Sequence, residues 1–262
     1  MCYEPPSYEQ NTLHFIERYF ERIVTKFSKL RLNENHIENT QFGELWYYMR
    51  TSFHKRNLPH IQPLGGTFFV TYNLAGSIPR DVLDQWKAEY VEEKTKIMQF
   101  SKDIENDLER LGKLDFAKRD KFLDTYDGGN HFLKSDTLAK IVADTLHYWD
   151  EKRLELYCYC IMSNHVHTVF RLYGEEEIAG KPVYLEQIMH SIKLYSASKC
   201  NQLLGLEGAF WQHESYDRLV RNDEELRRIM TYVLQNPVKA GLCKQMSDWK
   251  WSFIKPEYND IM

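Results

Sequence analysis

His165 and His167 are separated by one residue inside an apolar stretch, Arg153 to Leu172, that reads as two β-strands around a turn at Met162, Ser163 and Asn164. Side chains alternate across a strand, so both imidazoles project from one face and Val166 from the other. Their Cα atoms would lie roughly 6.5 Å apart, close enough for two ring nitrogens to converge on one divalent ion. A His-X-His pair on a strand is commonplace by itself. What singles this pair out is its setting among Ile161, Met162, Val166, Val169 and Phe170, which makes its strand a core strand. Two ligands do not make a tight site, so partners must come from elsewhere.

A second constellation supplies candidates. Tyr232 and Asn236 stand four residues apart on one helical face, just before Pro237. Together they offer a nucleophile and an oxygen ligand. A phenol of pKa near 10 is only about 0.1% phenolate at neutral pH. It becomes a useful nucleophile where a cation polarises the electrophile and geometry aligns the attack. A phosphodiester is such an electrophile, because its oxygens bind hard divalent ions and attack on it is largely a matter of positioning. Two histidines and an amide oxygen would leave metal positions open for phosphate oxygens. Cys158 and Cys160 share a face of the first strand and could join a metal site in a small-molecule metalloenzyme, although buried core thiols are the simpler reading.

The elements that must position these groups follow from periodicity. Residues 11–31 show helical spacing, with Arg18, Arg22, Lys26 and Lys29 interleaved, and a short helix is expected over Glu44 to Arg50. Residues 67–74 read as the first core strand, with a helix beginning near Pro79. Helices are expected at roughly 80–111 and 135–149 around an irregular middle, with Asp136 as a cap. Acidic residues outnumber basic ones between 89 and 151, which argues against that outer face tracking phosphates. Tyr184 to Leu204 reads as a helix ended by Gly205 and Gly208, and Asn222 with Glu225 forms a capping-box pattern for a helix over 223–235 that should stop before Pro237. Trp249 and Trp251 are expected to fold back on the core.

The 262 residues, 43% hydrophobic and 27% charged, describe a globular chain, and a formal charge of −4 excludes a global basic field for nucleic acid. DNA contact would therefore need a local patch. Lys193, Lys199, Arg218, Arg221 and Lys239, with Arg227 and Arg228, cluster in the C-terminal third, and Trp211 or Tyr216 could stack on an unpaired base. Nearby His213 and Tyr195 read as structural. Five cysteines without a C-x-x-C pair suggest a reducing cytoplasm, and no signal-peptide pattern or long apolar run appears.

Cys160 to His167 resembles the HUH motif (His, bulky apolar, His) of single-tyrosine transposases, and more narrowly the REP-associated tyrosine transposases. The resemblance extends through Gly66-Thr67-Phe68-Phe69-Val70-Thr71, Phe210-Trp211-Gln212, Tyr216-Asp217-Arg218, Arg221-Asn222 and Tyr232 to Leu242, in the family order and over a little under half the chain. Ser163 stands where proline is common. The resemblance implies an α+β fold: a ferredoxin-like core with an antiparallel sheet flanked by helices. An N-terminal helical extension (1–58) and a helical insertion (about 89–135) within the catalytic domain (59–262) would be additions to it. The resemblance further implies a divalent metal ion, Mg or Mn, on His165 and His167 with Asn236 as third ligand, and attack by Tyr232 on single-stranded or hairpin DNA through a 5′-phosphotyrosine link. A monomer is favoured over a dimer. A non-catalytic DNA-hairpin binder is the competing reading.

Overall fold

The structure is a computed structural model; it describes residues 51–55, 59–174, 177 and 183–262. The helices expected over 11–31 and 44–50 lie outside the described residues. Strand β1 (Thr51–Lys55) pairs antiparallel with β2 (Pro59–Pro63) in a separate two-stranded ribbon.

The core is one five-stranded sheet of β3 (Thr67–Asn73), β4 (Leu154–Ile161), β5 (His165–Leu172), β6 (Tyr216–Val220) and β7 (Ser252–Ile254), in the order β6-β3-β5-β4-β7. Every neighbouring pair is antiparallel. The first four strands thus have the ferredoxin-like arrangement, and β7 extends one edge. Helix α1 (Arg80–Phe100), α2 (Ile104–Thr125) and α3 (Asp136–Trp149) connect β3 to β4; α4 (Leu185–Leu204) connects β5 toward β6; α5 (Asp223–Lys239) follows β6. The fold class is α+β, as the sequence implies.

Strand alternation sorts the side chains into two apolar layers. Phe68, Val70, Tyr72, Val166, Phe170 and Leu172 face α3 and α4, where Leu138, Val142, Leu146, Ile188 and Ile192 close the main core. Phe69, Cys158, Cys160 and Val169 face the other way, against Leu226, Ile229, Met230 and Val233 of α5 and Phe116 of α2. His165 and His167 belong to this second face. They are therefore covered by the helix that carries Tyr232.

Four expectations about elements need correcting. The long helix predicted over 80–111 is two helices, broken at Ser101, and the second runs on to Thr125, so that the irregular stretch is confined to residues 126–131, which contain Asp127 to Asn130. The break is chemical: Asp103 accepts a hydrogen bond from the Asn106 amide and so caps α2. Asp136 is not a cap; Ser135 holds the N-cap position, and Asp136 instead accepts from Lys250 (2.5 Å) and the Trp251 indole (3.1 Å). Finally, α5 does not stop before Pro237. Proline removes one amide from the last turn, and the true stop is Gly241, at φ 70°, where Leu242 N donates to Pro237 O and Gly241 N to Val238 O. The Asn222 side chain does accept from Glu225 N (2.8 Å), but the Glu225 carboxylate reaches the amide of Arg221 (2.9 Å) rather than closing the reciprocal bond.

Candidate metal and nucleophile site

His165 and His167 are both fully buried, and their Nε2 atoms lie 3.0 Å apart. The opposite ring nitrogens are tied down. Asn164 donates its amide to Leu123 O (2.9 Å), so its Oδ1 must accept, and it accepts from His165 Nδ1 at 2.7 Å. That assigns the proton to Nδ1 and leaves a lone pair on Nε2. His167 Nδ1 is held at 2.7 Å by Thr71 Oγ1, from the residue directly across the ladder on β3. Hydrogen bonding at one ring nitrogen is how a metal-ligating histidine is usually oriented. Burial, then the neighbouring His167 ring, pushes the His165 pKa down to about 3, so the ring is neutral and available as a ligand.

Tyr232 reaches this place from its own chain. Its hydroxyl donates to Asp120 Oδ2, and the other carboxylate oxygen of Asp120 lies 3.3 Å from His167 Nε2. The Tyr232 ring packs edge-on against His167, with centroids 5.8 Å apart, and Lys239 Nζ sits 4.6 Å from the Tyr232 ring centroid. Burial, Asp120 and Asp124 all raise the pKa of the phenol, so in this state it is firmly protonated.

Asp120 and Asp124, one turn apart on α2, were not among the residues picked from the sequence. Asp124 Oδ1 lies 3.9 Å from His165 Nε2. Burial and the Asp120 charge lift the Asp124 carboxyl to about 6. For Asp120, burial acts upward, but the imidazoles and the Tyr232 hydrogen bond outweigh it and bring it down to about 2. A signal for them existed: Phe116, Asp120, Leu123 and Asp124 share one helical face, which places two acids on the side that also carries apolar residues. Asn236 is buried one turn beyond Tyr232, with its Nδ2 donating to Tyr232 O (2.9 Å).

The residues fit a divalent cation. Asp120 Oδ1, Asp124 Oδ1 and Asn236 Oδ1 are all buried acceptors without a hydrogen-bond partner. Such orphans are rare because each forgoes solvation, and a cation would satisfy them. Ligand atoms of Asp120, His165 and His167 lie within 4.8 Å of one another. Among the described residues no cysteine joins this cluster: Cys158 and Cys160 are core thiols, and Cys160 Sγ donates to Met162 Sδ at 3.6 Å. This removes the support for a cysteine-ligated metalloenzyme.

The expected DNA contacts fare unevenly. Trp211 is 6% exposed, packs 4.8 Å from Tyr72 and donates its indole N–H to Ser196 Oγ; it is a core residue and cannot stack on a base. Tyr216 is likewise stacked on Phe116 at 4.2 Å. Lys193 donates to the carbonyls of Gln212 and His213. Arg218 is paired with Glu225, and Arg221 with Glu109 of α2 at 2.8 Å. Lys199 is exposed, 5.8 Å from the Tyr195 ring. Lys239 alone of these basic residues borders the Tyr232 ring.

No family model matches the chain. Two curated proteins do. The "Putative REP-associated tyrosine transposase" of Haemophilus influenzae is 26% identical over 99 residues, 36% of this chain and 54% of that protein. The "REP-associated tyrosine transposase" of Escherichia coli is 26% identical over 103 residues, 39% and 55% respectively. The chain thus spans about half the length of the curated relatives it matches. A solved structure described as a REP-associated tyrosine transposase bound to a REP hairpin covers 75% of this chain and 81% of its own, at 18% identity and a TM-score of 0.45. In sequence, a little over a third of the chain is similar to these two REP-associated tyrosine transposases.

Proposed function

We propose that this protein cuts single-stranded or hairpin DNA and transfers the strand, with Tyr232 as nucleophile and a divalent ion, Mg or Mn, at His165, His167 and the Asn236 amide oxygen. The observation that carries the reading is the Tyr232 hydroxyl bonded to Asp120, which itself lies 3.3 Å from His167. The names of the two relatives support the same chemistry. The phenolic oxygen would form a bond to phosphorus while the bond to the 3′ oxygen breaks. The phenol loses a proton and the departing oxygen gains one, giving a 5′-phosphotyrosine link and a free 3′-OH.

A bound cation would supply polarisation of the phosphate oxygens and offset the local negative charge. The chain's own residues do the rest. Asp120 orients the phenol and accepts its hydrogen bond. Thr71 and Asn164 fix the imidazoles. Lys239, beside the Tyr232 ring, is placed to hold a phosphate, and Lys199, Arg218, Arg221 and Lys193 would extend the basic track once their present partners are exchanged. The nucleophile comes from the same chain as the histidines, in keeping with a monomer.

The test is a covalent shift of labelled single-stranded hairpin DNA in the presence of Mg or Mn. We expect an adduct with the unaltered chain and none with Tyr232→Phe. Binding of the hairpin without any adduct would instead indicate a non-catalytic hairpin binder.

A further inference from the structure

The residues around His165 and His167 carry more negative charge than two imidazoles and an amide would bring. We propose that the insertion helix α2 completes this centre, with Asp120 Oδ1 a direct ligand and Asp124 a second anionic group, so that it takes manganese(II) in preference to magnesium. This rests on the reading of His165 and His167 as metal ligands given above.

Four observations converge. The two Nε2 atoms face each other at 3.0 Å, and the Asn164 hydrogen bond leaves the His165 nitrogen with its lone pair directed there. A cation or a proton between the two rings would satisfy both nitrogens. Asp120 is 8% exposed, and its Oδ1, 3.3 Å from His167, has no hydrogen-bond partner. Asp124 brings a second orphaned oxygen toward His165. Two acids one turn apart in a poorly solvated place repel each other, and a divalent ion reverses the sign of that interaction. The remaining Asp120 oxygen accepts from Tyr232, so one carboxylate would join the cation to the nucleophile and set the distance between them.

The preference follows from the donor set. Imidazole nitrogens suit magnesium poorly, whereas carboxylate and amide oxygens suit manganese as well as magnesium. A set mixing two nitrogens with acidic oxygens favours manganese.

The test is calorimetric titration of manganese(II) and magnesium into chelator-stripped full chain, with the metal-dependent rise in melting temperature as a second readout. We expect tighter binding of manganese, at least tenfold weaker manganese binding for Asp120→Asn, and a smaller loss for Asp124→Asn. Should Asp120→Asn fail to fold, Asp124→Asn carries the comparison. If both variants bind manganese like the unaltered chain while His165→Ala and His167→Ala lose it, α2 is no part of the centre and the histidine site stands. Equal affinity for magnesium would overturn the stated preference. If the unaltered chain binds neither ion, the metal reading falls with the inference, whatever the DNA adduct assay shows.

Discussion

Asn164 shows how much of the site depends on a residue that would never touch substrate. Its amide is held by Leu123 O, and its carbonyl in turn sets the His165 tautomer. Asn164→Ala should leave the sheet intact and weaken manganese binding by about 10- to 100-fold, the usual consequence of losing such a support. Calorimetry on the variant checks this, with a circular dichroism spectrum to show that the fold survives. At this scale the histidine pair and Tyr232 were legible, because strand alternation and helical spacing are properties of the local sequence. Asp120 and Asp124 were not. Acid pairs one turn apart are ordinary on solvated helices, and only the docking of α2 separates this pair from the others in the same acidic segment. Trp211 differs the other way: its place beside the basic cluster suggests a stacking residue, but the bridge between Leu74 and Trp211 draws it into the core.

Helix α5 holds Tyr232 in place through a buried stripe of Leu226, Ile229, Met230 and Val233. Met230 is fully buried, so Met230→Ala should cost about 2–5 kcal/mol of stability, read as a lower urea midpoint. Helix α2 offers the opposite experiment. A side chain at Gly112 would meet open space, so Gly112→Ala should stabilise by about 0.5–1 kcal/mol without touching the site. A melting temperature that falls instead would show that this glycine serves some packing role. Periodicity found α3, α4 and strands β3, β4 and β5 with small boundary errors, but not β1, β2 or β7. It failed at Ser101, where a cap interrupts a continuous charged pattern, and at Pro237, where a helix tolerates proline because the amide lost is close to its end.

Across the whole sheet, Glu155 ties β4 to β5 and to the segment after β7, accepting from Arg171 (3.1 Å) and from Lys255. Burial acts upward on its carboxyl, but the hydrogen bonds from Lys255 and Arg171 outweigh it and keep its pKa below the ordinary range. A depressed carboxylate contributes stability that is present above its unfolded pKa, about 4.3, and is lost as pH falls through the folded value. Glu155→Gln should therefore cost up to about 1 kcal/mol at pH 7, with the difference from the unaltered chain shrinking at pH 3.5 in urea melts. A difference independent of pH would mean that packing, not charge, holds those strands together.

The strand order was legible only through the resemblance, since pairing between β3 and β5 joins residues almost a hundred positions apart that no local pattern links. The docking of α2 has one last consequence. The excursion between β3 and α3 looks dispensable beside the signature motifs, and an engineer paring the chain to a minimal core would delete it first. If Asp120 and Asp124 complete the centre as proposed, a protein trimmed that way would keep every hallmark residue and still be disarmed.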